Sequence, residues 1–192
     1  PVDVDAFTPA ADSVGEYFLL VSAMVPYKRD DLAVQVLTER GLPLVVVGDG
    51  PERRRLQRLA NGRAKFLGRL DGTGLIDCYR RARALLYPGE EDFGITPVEA
   101  NACGRPVIAF KAGGVLETQI DGQTAVLFDR QDAAGLSEAL DRFEKSDWKA
   151  AAIREHAVRF SRTRFQEAIG AHILETWEDF VSNGRERPDL VP

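Results

Sequence analysis

The strongest constraint on this chain's fold is a series of short, almost unbroken apolar runs, each followed by a stretch with helical signals. The runs are Tyr17–Val21, Leu44–Val47, Lys65–Leu67, Ala84–Tyr87, Val107–Phe110 and Ala125–Phe128. A strand with one wet face would alternate apolar and polar residues, so unbroken runs predict strands covered on both faces. Between them, Asp30-Asp31 open a helix to about Glu39 with Gly41 beyond its end, and Pro51 suits the first turn of a helix to about Ala60. Further helices are predicted from Asp71 to about Ala82 and from Thr96 to Cys103, the latter stopped by Gly104 and Pro106. Three more follow the last strand, over about 131–145, 147–160 and 162–181. Strand and helix in alternation predict an α/β fold: a three-layer, doubly wound parallel sheet of about six strands.

The 192 residues suffice for one domain with a proper core. A net charge of −5 speaks against general nucleic-acid binding. No apolar run approaches the ~20 residues of a membrane span. The opening Pro1-Val2-Asp3-Val4-Asp5 has neither a basic nor an apolar leader region. Cys78 and Cys103, with no C-x-x-C and no cluster beside His156 or His172, read as small buried hydrophobes in a reducing, cytoplasmic compartment. The expected organisation is a linker over 1–14, a ligand-binding domain over 15–160, a C-terminal helix over 161–181 and a flexible tail over 182–192.

Doubly wound sheets bind ligands beyond the carboxyl ends of their strands, so the loops there carry the functional reading. After the first strand, Pro26 stiffens a loop bringing Lys28 and Arg29 to a helix start, where cations are unfavourable unless an anion wants them. Pairing with Asp30 or Asp31 at the surface is the bland alternative. Gly48-Asp49-Gly50-Pro51 allows a tight turn after the second strand, but Arg53 stands at the third glycine of a dinucleotide fingerprint and no clear acid follows ~20 residues on. After the fourth strand, Glu90-Glu91-Asp92-Phe93-Gly94-Ile95 leads into a helix near Thr96 or Pro97, whose free N–H groups form an anion-binding concavity. Glu91 on the loop and Glu99 in the first helical turn can accept hydrogen bonds from sugar hydroxyls. Glu99 could equally stabilise the helix dipole, and Glu90, Glu91 and Asp92 could be a solvated acidic loop. No nearby His or spaced carboxylate ties them to a metal. Gly113-Gly114 places paired glycines on the same rim.

Glu91 and Glu99 stand in an E-x7-E spacing, within Glu91-Asp92-Phe93-Gly94-Ile95-Thr96-Pro97-Val98-Glu99-Ala100-Asn101-Ala102-Cys103-Gly104-Arg105-Pro106-Val107. This resembles the signature of family 4 retaining glycosyltransferases of the GT-B fold. Val25-Pro26-Tyr27-Lys28-Arg29, Gly48-Asp49-Gly50-Pro51, Phe66-Leu67-Gly68 and Gly113-Gly114-Val115-Leu116-Glu117 match in the family's order, over about residues 16–181. The resemblance implies a Rossmann-like, nucleotide-sugar-binding C-terminal domain. Glu91 would meet the donor sugar and stabilise its oxocarbenium-like transition state, and Glu99 would hold the ribose. Lys28 would neutralise the diphosphate, with Arg29 in support and amides from Phe93 through Gly94 and Ile95 to Thr96. Gly48 and Gly50 would turn beneath the nucleotide, and Phe66, Leu67, Gly68 and Leu75 would border the base. Such enzymes typically use no metal or cofactor. The Val-Pro-Tyr-Lys-Arg loop looks most like mannosyltransferases of polysaccharide or glycolipid assembly, favouring GDP-mannose over a UDP-hexose. The chain departs from the family at Ala23, where many members carry a second diphosphate-binding Arg.

The resemblance further implies partners: a missing N-terminal GT-B domain, towards which the last helix would reach, a glycan or glycolipid acceptor, and peripheral membrane association of the full-length enzyme. The fragment alone would hold a donor without transferring it. The rival readings are a NAD-dependent oxidoreductase domain and a non-catalytic α/β module docking through its helices.

Overall fold

The computed structural model describes residues 2–10 and 15–182. Six strands, β1 (Tyr17–Val21), β2 (Leu44–Val47), β3 (Ala64–Gly68), β4 (Ala82–Tyr87), β5 (Val107–Phe110) and β6 (Ala125–Phe128), form one parallel sheet in the order β3-β2-β1-β4-β5-β6. The helices are α1 (Asp30–Arg40), α2 (Arg53–Ala60), α3 (Gly72–Arg81), α4 (Ile95–Ala102), α5 (Val115–Thr118), α6 (Ala133–Lys145), α7 (Ala150–Val158) and α8 (Arg162–Ser182). The doubly wound parallel sheet expected from the apolar runs is present, with six strands.

Successive strand residues point to opposite faces and feed two cores. Phe18, Leu20, Val46, Leu86 and Ile108 pack on one face beneath α1, α2 and α6. Leu19, Val45, Leu85, Val107 and Leu127 pack on the other with Tyr79 of α3 and Ala100 of α4. Each fully buried aliphatic or aromatic chain contributes roughly 1.5–3 kcal/mol, which is why the runs carry no polar interruptions.

Several element boundaries differ from the expectation, three of them for a plain physical reason. β4 begins at Ala82 directly after α3, because Ala82 already pairs with Tyr17 in the sheet. The helix expected from Pro51 starts at Arg53, with Pro51 and Glu52 in the preceding turn. α4 begins at Ile95 behind Gly94, whose φ of 77° suits a residue without Cβ. α5 and a single 3-10 turn over Pro26–Lys28 have no periodicity to announce them.

Of the expected linker, residues 2–10 are described and docked on the domain. Val2 exchanges backbone hydrogen bonds with Phe160 and Arg162, and Val2 and Val4 pack with Val98 and Ala102 of α4. The Arg154 guanidinium donates to the carbonyls of Phe7, Ala102 (2.8 Å) and Val4 (2.5 Å), tying this segment to α4 and α7. The helix whose start faces the ligand edge is thereby braced from behind. α8 carries no buried residue and presents Phe165, Ile169, Ile173, Trp177 and Phe180 to solvent along one stripe. Of the expected tail over 182–192, Ser182 closes α8 and the rest lies outside the described residues.

Candidate functional site

The strand order reverses between β1 and β4, and a doubly wound sheet opens its ligand crevice at such a switch point. The loops leaving those two strands carry Lys28 and Glu91, and there the two side chains meet. Lys28 Nζ lies 2.7 Å from Glu91 Oε1, and the Tyr87 hydroxyl, at the last residue of β4, donates to Glu91 Oε2 at 2.6 Å. Tyr27 supplies a further hydroxyl beside the same carboxylate. Burial pushes the Glu91 carboxyl up, but its hydrogen bonds to Lys28 and Tyr87 outweigh this and hold it below the usual carboxylate range. Burial, then the bond to Glu91, pushes the Tyr87 phenol up. At neutral pH the site therefore holds an anionic Glu91 between an ammonium and a phenol, with lone pairs left for further donors.

Beside this pair opens a cleft of about 620 Å³, lined by Tyr27, Lys28, Glu90, Glu91, Asp92 and the Phe93–Thr96 segment. Its floor is the start of α4. Gly94 offers no capping side chain, so the amides of Ile95 and Thr96 point their partial positive charge into the cleft. Gly114 fixes the acidic loop: its N–H donates to Glu91 O at 2.8 Å, and a Cβ there would stand 2.4 Å from Asp92 O. The paired glycines serve close backbone approach beneath the Glu91 loop.

Glu99 lies on the second turn of α4, not the first, since the helix starts at Ile95. That position removes the helix-dipole alternative. Its Oε2 accepts the Tyr79 hydroxyl at 2.8 Å. Burial pushes the Glu99 carboxyl up, and the Tyr79 bond opposes the rise. Tyr79 itself is fully buried, and burial followed by Glu99 raises its phenol well above the ordinary value. Each carboxylate of the E-x7-E pair thus receives a phenol, and the two phenols, Tyr79 and Tyr87, repeat the same sequence spacing. Neither phenol is among the residues expected from the sequence. Tyr87 was visible as a polar-tipped residue closing an apolar strand at the ligand edge; nothing local marks Tyr79.

Arg29 is brought to the rim but engaged, with Nε 3.4 Å from Asp31 Oδ1 and a guanidinium N–H donating to Gln131 Oε1 at 3.3 Å. Gln131 in turn donates to Pro88 O at 2.9 Å, so Arg29 braces the two loops. The bland pairing with Asp30 or Asp31 applies to Arg29 and not to Lys28. The Gly48 N–H is used by Gly68 O at 2.7 Å, and the Gly50 N–H by Asp49 Oδ1 at 2.9 Å. These turn amides support the sheet edge and offer no dinucleotide cradle. Phe66 and Leu67 are half-buried on opposite faces of β3, and Leu75 packs with Leu67 on the α3 side, flanking the crevice beyond Gly48. Among the described residues no group of His, Cys, Asp and Glu could hold a metal ion, and no helix is long and apolar enough to cross a membrane.

The family model described as Glycosyl transferases group 1 matches residues 4–160. A D-inositol 3-phosphate glycosyltransferase of Mycolicibacterium smegmatis is 31% identical over 205 residues, covering 93% of this chain and 47% of that protein. A GDP-mannose-dependent alpha-(1-6)-phosphatidylinositol monomannoside mannosyltransferase of the same organism is 31% identical over 181 residues, covering 79% and 47%. The chain thus spans about half the length of these relatives. The solved structure of Anabaena Alr3699/HepE in complex with UDP and glucose shares the fold, with a TM-score of 0.73 at 20% identity over 92% of this chain and 55% of that one. The chain belongs to the group 1 glycosyl transferases, as a C-terminal, Rossmann-like half of the GT-B fold.

Proposed function

We propose that this chain is the donor-binding half of a retaining hexosyltransferase and holds a nucleoside-diphosphate sugar in the cleft between the Lys28 turn and the start of α4. The observation that carries the reading is the meeting of Lys28 and Glu91 at the switch point, beside an uncapped helix start. Glycosyl transfer separates charge: the departing diphosphate gains negative charge while the anomeric carbon becomes oxocarbenium-like. Preorganised groups that match this separation lower the barrier. Lys28 and the Ile95 and Thr96 amides face the diphosphate, and the anionic Glu91 faces the sugar hydroxyls and the electron-poor carbon. Glu99 meets the ribose, with the Phe66–Gly68 edge and Leu75 on the base side. No metal is needed in this scheme, because cation and helix start supply the positive charge.

GDP-mannose is the favoured donor, in keeping with the printed activity of one relative, and a UDP-hexose is the alternative. The acceptor, a glycan or glycolipid, and the rest of the cleft belong to an N-terminal domain that this chain does not contain. The exposed apolar stripe of α8 is the natural face to meet that domain. A cytoplasmic location, with the full-length enzyme at a membrane surface, and inactivity of the chain by itself complete the proposal. Calorimetric titration with GDP and UDP tests it. Binding of either below millimolar concentration supports the reading, the tighter one naming the donor base; binding of neither at millimolar concentration refutes it.

A further inference from the structure

The turn that carries Lys28 is strained. Met24, fully buried, has φ 45°, and Arg29 has φ 51°, both in the left-handed region that side chains avoid. Val25 and the 3-10 turn Pro26–Lys28 lie between them. Such conformations persist where the surroundings over-determine them, and they gather at functional sites. Here the Ser22 hydroxyl donates to Asp30 Oδ2 at 2.6 Å and accepts the Met24 N–H at 3.0 Å. The Glu52 N–H donates to Met24 O at 3.0 Å. A Cβ at Gly50 would collide with Ala23 O, and one at Gly89 with the Lys28 backbone, so neighbouring loops press on the turn from two sides. Asp30 lies directly behind the site: with Ser22, Lys28, Tyr87 and Glu91 it lines one cavity of about 10 Å³.

We propose that Ser22 and Asp30 are positioning residues, clamping the left-handed turn so that Lys28 is delivered to Glu91 and to the donor's diphosphate. An acid serving only the α1 dipole would sit in water; Asp30 is 5% exposed, where ionisation is costly, and its bonded partner, Ser22, in turn holds the Met24 N–H of the strained turn. The inference rests on the proposed role of Lys28 in donor binding.

Two measurements test it. The first needs no ligand: Glu91 is titrated by carboxyl-carbon NMR in the wild type and in Ser22→Ala, which keeps Asp30, Tyr87 and Tyr27 around the site. Loss of the clamp is expected to raise the Glu91 pKa towards the ordinary carboxylate value, because Lys28 no longer stays beside it. The second is GDP and UDP affinity for Ser22→Ala, Asp30→Asn and Lys28→Ala, and for Ser22→Ala combined with Lys28→Ala. Lys28→Ala is expected to weaken binding about tenfold or more, and Ser22→Ala about threefold to tenfold. In the Lys28→Ala background, Ser22→Ala should add nothing. An unchanged Glu91 titration overturns the positioning role, as does an equal loss from Ser22→Ala in both backgrounds. Ser22→Ala binding like wild type while Lys28→Ala binds weakly also overturns it and leaves the donor reading standing. Wild-type affinity in Lys28→Ala refutes the donor role of Lys28 instead. Should Asp30→Asn fail to fold, Ser22→Ala still decides the matter.

Discussion

Replacing Asp30 with Asn removes a carboxylate that is 5% exposed and accepts a hydrogen bond from the Ser22 hydroxyl. Burial, opposed by Ser22 and Lys28, pushes this carboxyl up from 3.8 to about 6. The unfolded chain therefore releases the proton first, and ionisation favours unfolding. The stability Asp30 contributes is full below the unfolded value of 3.8 and is lost as pH rises through about 6. At ~1.4 kcal/mol per tenfold in proton affinity, the complete loss amounts to about 3 kcal/mol, of which roughly half has occurred by about pH 5. The difference between Asn and the protonated carboxyl, in packing and in the bond to Ser22, is the same offset at every pH in this range, so it cancels in a comparison of slopes. The stability of the wild type minus that of Asp30→Asn is expected to fall by about 1.4 kcal/mol between about pH 5 and about pH 8. Guanidinium titrations of both proteins at the two pH values measure it. A difference that stays constant, or rises with pH, would show that burial does not dominate at Asp30 and would refute the reasoning.

Tyr79→Phe takes the hydroxyl from Glu99; nucleoside diphosphate affinity is expected to fall about fivefold to tenfold, and Glu99, relieved of the bond that lowers it, should titrate higher by NMR. Tyr87→Phe leaves Lys28 on Glu91 but frees one carboxylate oxygen. In the full-length enzyme kcat should fall about tenfold with little change in donor affinity, and an unchanged kcat would remove Tyr87 from the site. Gly114→Ala places a methyl 2.4 Å from Asp92 O and from Phe93 Cα, and should cost about 1–3 kcal/mol in thermal unfolding. A melting temperature equal to the wild type's would mean the acidic loop is looser than described.

The sheet was legible because its strands, the edge strand β3 apart, are buried on both faces. Runs such as Leu44–Val47 leave no polar residue to blur the pattern, and glycines and prolines mark where they stop. The site loops were legible because doubly wound topology sends β1 and β4 to adjacent exits, which put Lys28 and Glu91 on one rim before any contact was known. What could not be read depends on contacts between residues distant in sequence. Arg154 reaches back to Phe7 and Val4, and Tyr79 reaches across to Glu99, with nothing local to mark either. Asp30 beside Asp31 looked like half of a helix-start charge pair; the fold buries one and leaves the other for Arg29. Likewise Gly48 and Gly50 read as a tight turn, but nothing local showed that their amides bond to Gly68 and Asp49.

The amide spectrum of the isotope-labelled chain, recorded as GDP or UDP is added, tests the donor site residue by residue. The amides of Lys28, Gly94, Ile95, Thr96 and Gly114 are expected to shift together with one saturation curve, while those of α8 stay still. Shifts that cluster on α8, or no shifts at millimolar nucleotide, would contradict a donor site at the meeting of Lys28 and Glu91.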